Sequence, residues 1–337
     1  MAVQASRGVT QPQILALLAD GRLHSGQQLA ADLGVSRAAV WKGIERLRQS
    51  GIDIQALARR GYSLAQPVEL LDLRRIRGEL RAGRAKRLRE LALLFEVDST
   101  NTRLLEAPPP PPGSAHAALT ELQSAGRGRL GRRWIAPFGG IALSLAWSFP
   151  ETGRDLPSLS LAVGVAVARA LARVGARGIR LKWPNDLWFE DRKLGGVLIE
   201  LRAEAAGPAH VVIGVGLNLA LTAAMRRSIE ASGVRAAAVA DACKPPPARN
   251  RVAGAILDEL LSMLEQFERD GFGPFRAEWT ALDALYGRSA RVLLAGHAIA
   301  GTALGVDADG ALRLETGGTV QRFVSGEVSL RLEGQDA

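Results

Sequence analysis

Cysteine is almost missing: the 337 residues contain one, Cys243. A single thiol excludes an intrachain disulfide and a thiolate metal cluster, and it suits a reducing cytoplasm. Histidine is scarce too, and His24, His116, His210 and His297 stand in unrelated contexts. None neighbours a poised Ser or Cys, which removes Ser-His and Cys-His nucleophile systems. No His or Cys spacing suits a metal ion; the four histidines read as surface residues. No uninterrupted apolar run reaches the roughly 18 residues that span a bilayer, so no membrane association is expected. The opening MAVQASRG has no apolar core segment, so a signal peptide is not expected and the cytoplasm is.

What is present suits a folded soluble chain. Hydrophobic residues are 47% and charged residues 23%, ordinary for a protein with a core. The length suggests two or three domains. A net charge of +9 fits an anionic partner such as nucleic acid or nucleotide. It fits equally well a GC-rich, arginine-heavy codon bias.

Residues 1–66 read as a small helical unit. Ile14, Leu15, Leu17 and Leu18 mark one helix, and Leu29, Ala30 and Leu33 a second. Gly34-Val35-Ser36 is a turn, with Ser36 an N-cap for a third helix. Val40, Ile44 and Leu47 give that helix an apolar face, and Gly51 ends it. "IDIQALARRGYSL" then reads as two short strands around a basic tip, the shape of a wing. The pattern is a winged helix-turn-helix. With eight basic residues against four acids, DNA binding is favoured over protein binding. Ser36, Arg37, Ala38, Trp41 and Lys42 would face the major groove, and Arg59 and Arg60 phosphate.

Pro67 marks a boundary. From Arg74 to Glu90 eight basic residues meet two acids, which reads as a solvated helix face carrying Leu73, Ile76 and Leu80. Residues 67–284 mix strands and helices without strict alternation, predicting a mixed sheet flanked by helices, an α/β (α+β) fold. Strands are expected at "LALLFEV", "AALTELQ", "IALSLAWSF", "IRLKW", "KLGGVLIEL" and "HVVIGVGLNL". Helices are expected at "LSLAVGVAVARALARV" and over 251–270. Pro108–Pro112 with Gly113 reads as an exposed polyproline surface loop. Residues 285–337 show short strands, with "DADG" a hairpin signal, and predict a small β-barrel.

"GRGRLGRRW", residues 126–134, matches the dinucleotide fingerprint G-x-G-x-x-G. The context refuses that reading. Pro137 and the Gly139-Gly140 pair forbid the long helix that must follow, and Glu151 follows Pro150 in a loop. The glycines imply close backbone approach, taken here as approach to a ligand, and the arginines imply that it is anionic. Four other segments share this character: "DSTN" (98–101), whose hydroxyls suit either a helix cap or a polar ligand, "KWPND" (182–186), "RKLGG" (192–196) and "GVGLN" (214–218). Lysines, arginines and backbone amides suggest charge stabilisation at phosphorus, with Mg²⁺ arriving on a nucleotide.

These segments together resemble the bifunctional bacterial biotin protein ligases that double as biotin-operon repressors. The likeness runs from "LHSGQQLAADLGVSRAAVWKGIERLRQSGIDI" and "RRGYSL" through the five loops to "GALRLE" and "GEVSLRL". It implies a class II synthetase-like central sheet and an SH3-like terminal barrel. It implies that biotin and ATP form biotinyl-5'-adenylate with Mg²⁺, and that biotin passes to a lysine of the biotin carboxyl carrier protein of acetyl-CoA carboxylase. Carried over by motif, Ser99, Thr100, Asn101, Gln123, Arg127, Gly128, Arg129 and Lys193 become the biotin-binding set, with the Gly126 backbone nearby. Arg129, Trp134, Asn185, Asn218, Gly214 and Gly216 become the adenylate side. Lys193, Arg129 and Arg127 become the catalytic cations, and Asp186 a candidate for holding Mg²⁺ or orienting a lysine. Operator DNA and a ligand-linked homodimer are the implied further partners.

One stretch departs. Repressor members carry a tryptophan that stacks on adenine after the fifth loop, whereas "TAAMRRSIEASGVRAAAV" has no aromatic and Val234 stands near that place. This bears on how strongly the loop orders over the adenylate, and so on ligand-linked dimerisation. A ligase with an idle DNA-binding unit and a non-catalytic ligand sensor are the competing expectations.

Overall fold

The computed structural model describes residues 11–150, 156–203, 208–294, 297–324 and 326–330. Arg7, Glu151 and residues 331–332 of the last expected strand lie outside them.

Three short helices open the chain: α1 (Gln11–Leu18), α2 (Gly26–Leu33) and α3 (Arg37–Gln49). Ser25 Oγ accepts from the Gln28 N–H and Ser36 Oγ from the Ala39 N–H, so each later helix starts on a side-chain cap. Gly34, at φ 65°, supplies the left-handed turn between them. The antiparallel hairpin β1 (Ile54–Leu57) and β2 (Gly61–Leu64) follows, with Arg59 at φ 61° on its tip. Ile14, Leu15, Leu18, Leu29, Val40, Ile44 and Leu47 are buried, and Leu122 and Phe138 of the central unit join the same cluster.

The basic stretch after Pro67 is not one solvated helix. It forms α4 (Leu73–Gly78) and α5 (Ala82–Ala85), then enters a strand. Arg84 and Arg173 bond the fully buried carboxylate of Asp258 at 2.7 Å, Arg81 lies at 3.8 Å, and Arg87 pairs with Glu265 at 2.9 Å. Burying one carboxylate requires such compensation. Part of this charge is therefore structural. The connection itself is held by Arg249, which donates to the Gly140 and Glu69 carbonyls and pairs with Glu121, and by Asn250, which bonds the backbone of Leu70 and Asp72.

The central sheet has seven strands in the order β3-β4-β5-β9-β8-β7-β6. They are β3 (Leu88–Val97), β4 (Ala115–Gln123), β5 (Ile141–Phe149), β6 (Arg180–Lys182), β7 (Asp186–Phe189), β8 (Arg192–Ala203) and β9 (Ala209–Leu217). Only β3 and β4 run parallel. The helices are α6 (Thr100–Glu106), α7 (Leu159–Arg173), α8 (Ala223–Glu230), α9 (Val239–Ala242), α10 (Arg249–Asp270) and α11 (Gly273–Leu282). The helical stretch Leu156–Arg173 has a mean hydropathy of 1.3 and is long and apolar enough to cross a membrane. Here it is the core helix, packed against α10, α11 and the sheet.

The polyproline segment is tied down rather than free. Pro110 is buried and its carbonyl accepts from Ser148 Oγ at 2.6 Å. His210 shares that corner, with Nδ1 2.7 Å from the same hydroxyl, so it is not an open-surface histidine.

The C-terminal unit is a five-stranded antiparallel sheet: β10 (Ser289–Leu294), β11 (His297–Val306), β12 (Leu312–Thr316), β13 (Thr319–Phe323) and β14 (Glu327–Leu330). The order is β13-β12-β11-β10-β14, and among the described residues no ladder closes it into the expected barrel. Its core is continuous with the central one.

Candidate active site and candidate nucleic-acid face

A cleft of about 510 Å³ opens at one end of β5, β8 and β9. Ser99, Thr100, Asn101, Gln123, Arg127, Gly128, Arg129, Trp134, Asn185, Lys193, Gly214, Gly216 and Asn218 all line it. Its inner end is a packed polar network at the start of α6. Thr100 donates from both its N–H and its Oγ1 to Gln123 Oε1, at 2.9 and 3.1 Å. Ser144 Oγ lies 2.7 Å from Thr100 Oγ1 and 2.5 Å from Asn101 Oδ1. Asn101 Nδ2 donates to Glu200 Oε2 at 2.9 Å, and the other Glu200 oxygen pairs with Arg127 at 2.7 Å. Gly214 makes room for this: a Cβ there would sit 2.4 Å from Asn101 Oδ1. Hydroxyls and amides held in one buried network suit a planar polar ring with both donors and acceptors.

The capping alternative for "DSTN" is corrected. Ser99 stands at the N-cap of α6 but its side chain makes no cap bond. Asp98 Oδ1 takes the Ser99 N–H at 2.6 Å, and the Thr100 hydroxyl turns to Gln123.

"GRGRLGRRW" folds back on itself. The Trp134 N–H donates to the Gly126 carbonyl and the Gly128 N–H to the Arg132 carbonyl, both at 2.8 Å. Leu130 and Gly131 reverse the chain with φ of 56° and 73°. A Cβ on Gly126 would lie 2.4 Å from the Trp134 carbonyl. The first glycine thus answers to its own loop, which corrects the reading of that spacing as room for a ligand.

Trp134 then turns inward across Gly216, where a Cβ would come within 2.6 Å of the indole. Its Nε1 is buried without a partner. Lys193 Nζ lies 5.9 Å from that ring and 2.7 Å from Asp186 Oδ1. The Lys193 backbone bonds the Arg235 carbonyl and the Ala237 N–H, both at 2.8 Å, so residues 235–237 run beside it. Asn218 Nδ2 donates to the Ala237 carbonyl at 3.0 Å, while its Oδ1 is buried and unpartnered. Asn185 Nδ2 donates to the Val197 carbonyl at 2.6 Å, which gives it a structural duty. Lys182 also lines the cleft, with its ammonium 4.4 Å from the centre of the Trp188 ring. Ile229, Ser232 and Val234 stand at the mouth.

Ser144, Glu200 and Val328 also belong to the network or the lining. Sequence reasoning missed them. Ser144 is a lone hydroxyl in the apolar run "IALSLAWSF", which was the available signal. Glu200 is an acid inside the buried run "GGVLIEL". Val328 arrives on β14 of the C-terminal unit, and nothing local marks it.

The remaining candidates form a separate face. Ser36, Arg37, Ala38, Trp41 and Lys42 are all exposed on the start of α3, Trp41 to 53%. Arg59 and Arg60 are exposed at the hairpin tip.

The family model described as the Biotin/lipoate A/B protein ligase family matches residues 94–218. A model described as an HTH domain matches residues 10–63, and one described as the Biotin protein ligase C terminal domain matches residues 286–331. The bifunctional ligase/repressor BirA of Escherichia coli is 38% identical over 321 residues, 95% of this chain and 96% of that protein. The biotin--[acetyl-CoA-carboxylase] ligase of Paracoccus denitrificans is 31% identical, over 66% of this chain and 92% of its own. The solved biotin protein ligase from Aquifex aeolicus in complex with biotin and ATP has a TM-score of 0.60 at 28% identity, covering 72% of this chain and 99% of that one.

Proposed function

The chain belongs to the family of bifunctional biotin ligase/repressors, and from that premise we propose how its cleft and its exposed helix work. It is a biotin–protein ligase. A biotin carboxylate oxygen attacks the α-phosphorus of ATP, and diphosphate leaves. The ε-amine of a carrier-protein lysine then attacks the acyl carbon of biotinyl-5'-adenylate, and AMP leaves. The carrier is a biotin carboxyl carrier protein, in keeping with the name of the Paracoccus relative.

In this reading the ureido ring meets Ser99, Thr100, Asn101 and Gln123, with the backbone of Arg127 and Gly128. Arg129 covers the adenylate. Trp134, Gly214, Gly216, Asn185 and Asn218 form its walls. Lys193 stands where carboxylate and α-phosphate meet. Two anions must approach there, and a fixed ammonium lowers that cost without reorganisation. Asp186 aims the ammonium. Among the described residues no three His, Cys, Asp or Glu side chains gather as a metal cage. Mg²⁺ therefore suits the nucleotide phosphates as its main ligands, with Asp186 the nearby carboxylate, and it would screen phosphate charge when bound.

One observation carries the reading: a buried amide and hydroxyl network and a carboxylate-aimed lysine line the same cleft. Incubation with biotin and α-labelled ATP should yield labelled biotinyl-adenylate that chases onto a carrier protein. A chain that binds biotin yet makes no adenylate is a ligand sensor, and the ligase reading fails.

The repressor half rests on the exposed cations and Trp41 of α3. A gel shift on this organism's own biotin-gene promoter, with biotin and ATP, should retard the DNA as a dimer. Absence of any biotin-dependent shift leaves a ligase with an idle DNA-binding unit. We divide the chain at 66 and 284 into the three units that serve these roles, acting in the cytoplasm.

A further inference from the structure

Lys193 sits on a hairpin whose turn is held from outside the cleft. β7 and β8 are joined by Glu190 and Asp191, with φ of 47° and 56°. Two-residue turns with both residues left-handed favour Gly, Asn or Asp. Glu190 is a poor occupant, and within the turn its carboxylate pairs with Arg192 at 2.9 Å.

Arg288, just before β10, grips it. Its guanidinium meets the Asp191 carboxylate in a two-pronged contact, Nη1 to Oδ1 at 2.6 Å and Nη2 to Oδ2 at 2.9 Å. That geometry fixes direction as well as distance. The same guanidinium donates to the Ala284 carbonyl at 3.2 Å. The β6–β7 turn, which leads into β7, is held by the same C-terminal unit. Trp183 Nε1 donates to the Gly310 carbonyl at 3.0 Å. Gly310 is wedged on α7, where a Cβ would lie 2.8 Å from Ser158 and 2.9 Å from Leu161. Between these grips Lys193 pairs in register with Trp188, two residues from Asp191, and its ammonium reaches Asp186.

We propose that Arg288 is a positioning residue for Lys193: through Asp191 it fixes the β7–β8 turn, and with the Trp183–Gly310 bond it sets where the ammonium stands over the cleft. The inference rests on the ligase reading. Both side chains of the pair are nearly half exposed, at 44% and 47%. A pair so exposed adds little to stability, so its removal should leave folding intact and act on the reaction.

The test uses the full chain with biotin and ATP, reading single-turnover adenylate formation, KM for biotin and the thermal midpoint. Arg288→Gln and Asp191→Asn should each slow adenylate formation about tenfold, because small misplacements of a reacting group are costly. KM for biotin and the midpoint should stay near wild type. The double variant should be no slower than either single one, since the two act as one unit. Arg288→Lys should recover much of the rate. Single variants within twofold of wild type overturn the proposal. So do effects that multiply in the double variant, or a rate loss accompanied by a matching rise in KM or a collapsed midpoint. A wild-type chain that makes no adenylate defeats the ligase reading instead; a competent wild type with indifferent variants defeats only this inference.

Discussion

The winged helix and the central cleft are both basic, but they hold their charges differently. Arg37, Lys42, Arg46, Arg59 and Arg60 are exposed, and none has an ion pair among the described residues. In the cleft Arg127 is tied to Glu200 and Lys193 to Asp186. The difference follows from the partner. A long polyanion is met by many solvated cations that exchange counterions for phosphates. A reacting centre needs one cation at a fixed point, and a carboxylate beside it supplies the aim.

Lys193→Ala breaks the comparison most sharply. Adenylate formation should fall about a thousandfold, with the circular dichroism of the fold unchanged. A loss under tenfold would mean that the pairing serves structure rather than reaction.

Asp283 is the exception inside the paired region. Its Oδ1 accepts from the Leu285 N–H, its Oδ2 is buried without a partner, and burial raises its carboxyl to about 6. The folded state then holds the proton more tightly than the unfolded chain, whose value is near 3.8. The contribution of Asp283 to stability is therefore greatest below pH 4, falls as pH rises towards 6, and levels off above it. The drop is at most roughly 3 kcal/mol at about 1.4 kcal/mol per unit. Denaturant titrations of wild type and Asp283→Asn across that window should show it as the pH-dependent difference between the two. Asp191 is the opposite case, since Arg288 holds its carboxyl below the usual range.

Arg37→Ala with Lys42→Ala tests the unpaired cations. DNA binding should weaken by roughly ten- to a hundredfold, with relaxed discrimination between operator and unrelated DNA. Adenylate formation should stay unchanged. Loss of ligation in this variant would join two faces that are separate in the comparison.

Gly216→Ala is the mildest intervention. Its methyl meets the Trp134 indole, at an overpacking cost of about 1–2 kcal/mol. Binding of a non-hydrolysable biotinyl-adenylate analogue, followed by calorimetry, should weaken about tenfold.

Much of this was legible in the chain. The α3 face follows from Ser36 and the apolar spacing of Val40, Ile44 and Leu47, which are local signals. The loops of the cleft announced themselves by glycines beside charges. Their meanings were less secure. Gly126 reads the same whether it faces a ligand or the Trp134 carbonyl, because only the fold-back decides what occupies its missing Cβ. The arginines of 74–90 read as solvated because their partner, Asp258, lies on a helix over 170 residues away. The five short strands of the C-terminal unit were legible, but strand spacing does not specify whether the edge strands β13 and β14 meet, and among the described residues no ladder joins them.

The sequence by itself determined the winged helix, the mixed central sheet and the set of segments that make the cleft. Those features are written in periodicity, caps and turn residues, which act over a few positions. Tertiary structure alone decided that Glu200 joins Asn101 to Arg127, that Asp186 aims Lys193, and that Arg288 reaches back to Asp191. Those pairs are set by which strands lie side by side, and no local pattern encodes a contact made between strands or between units of the chain.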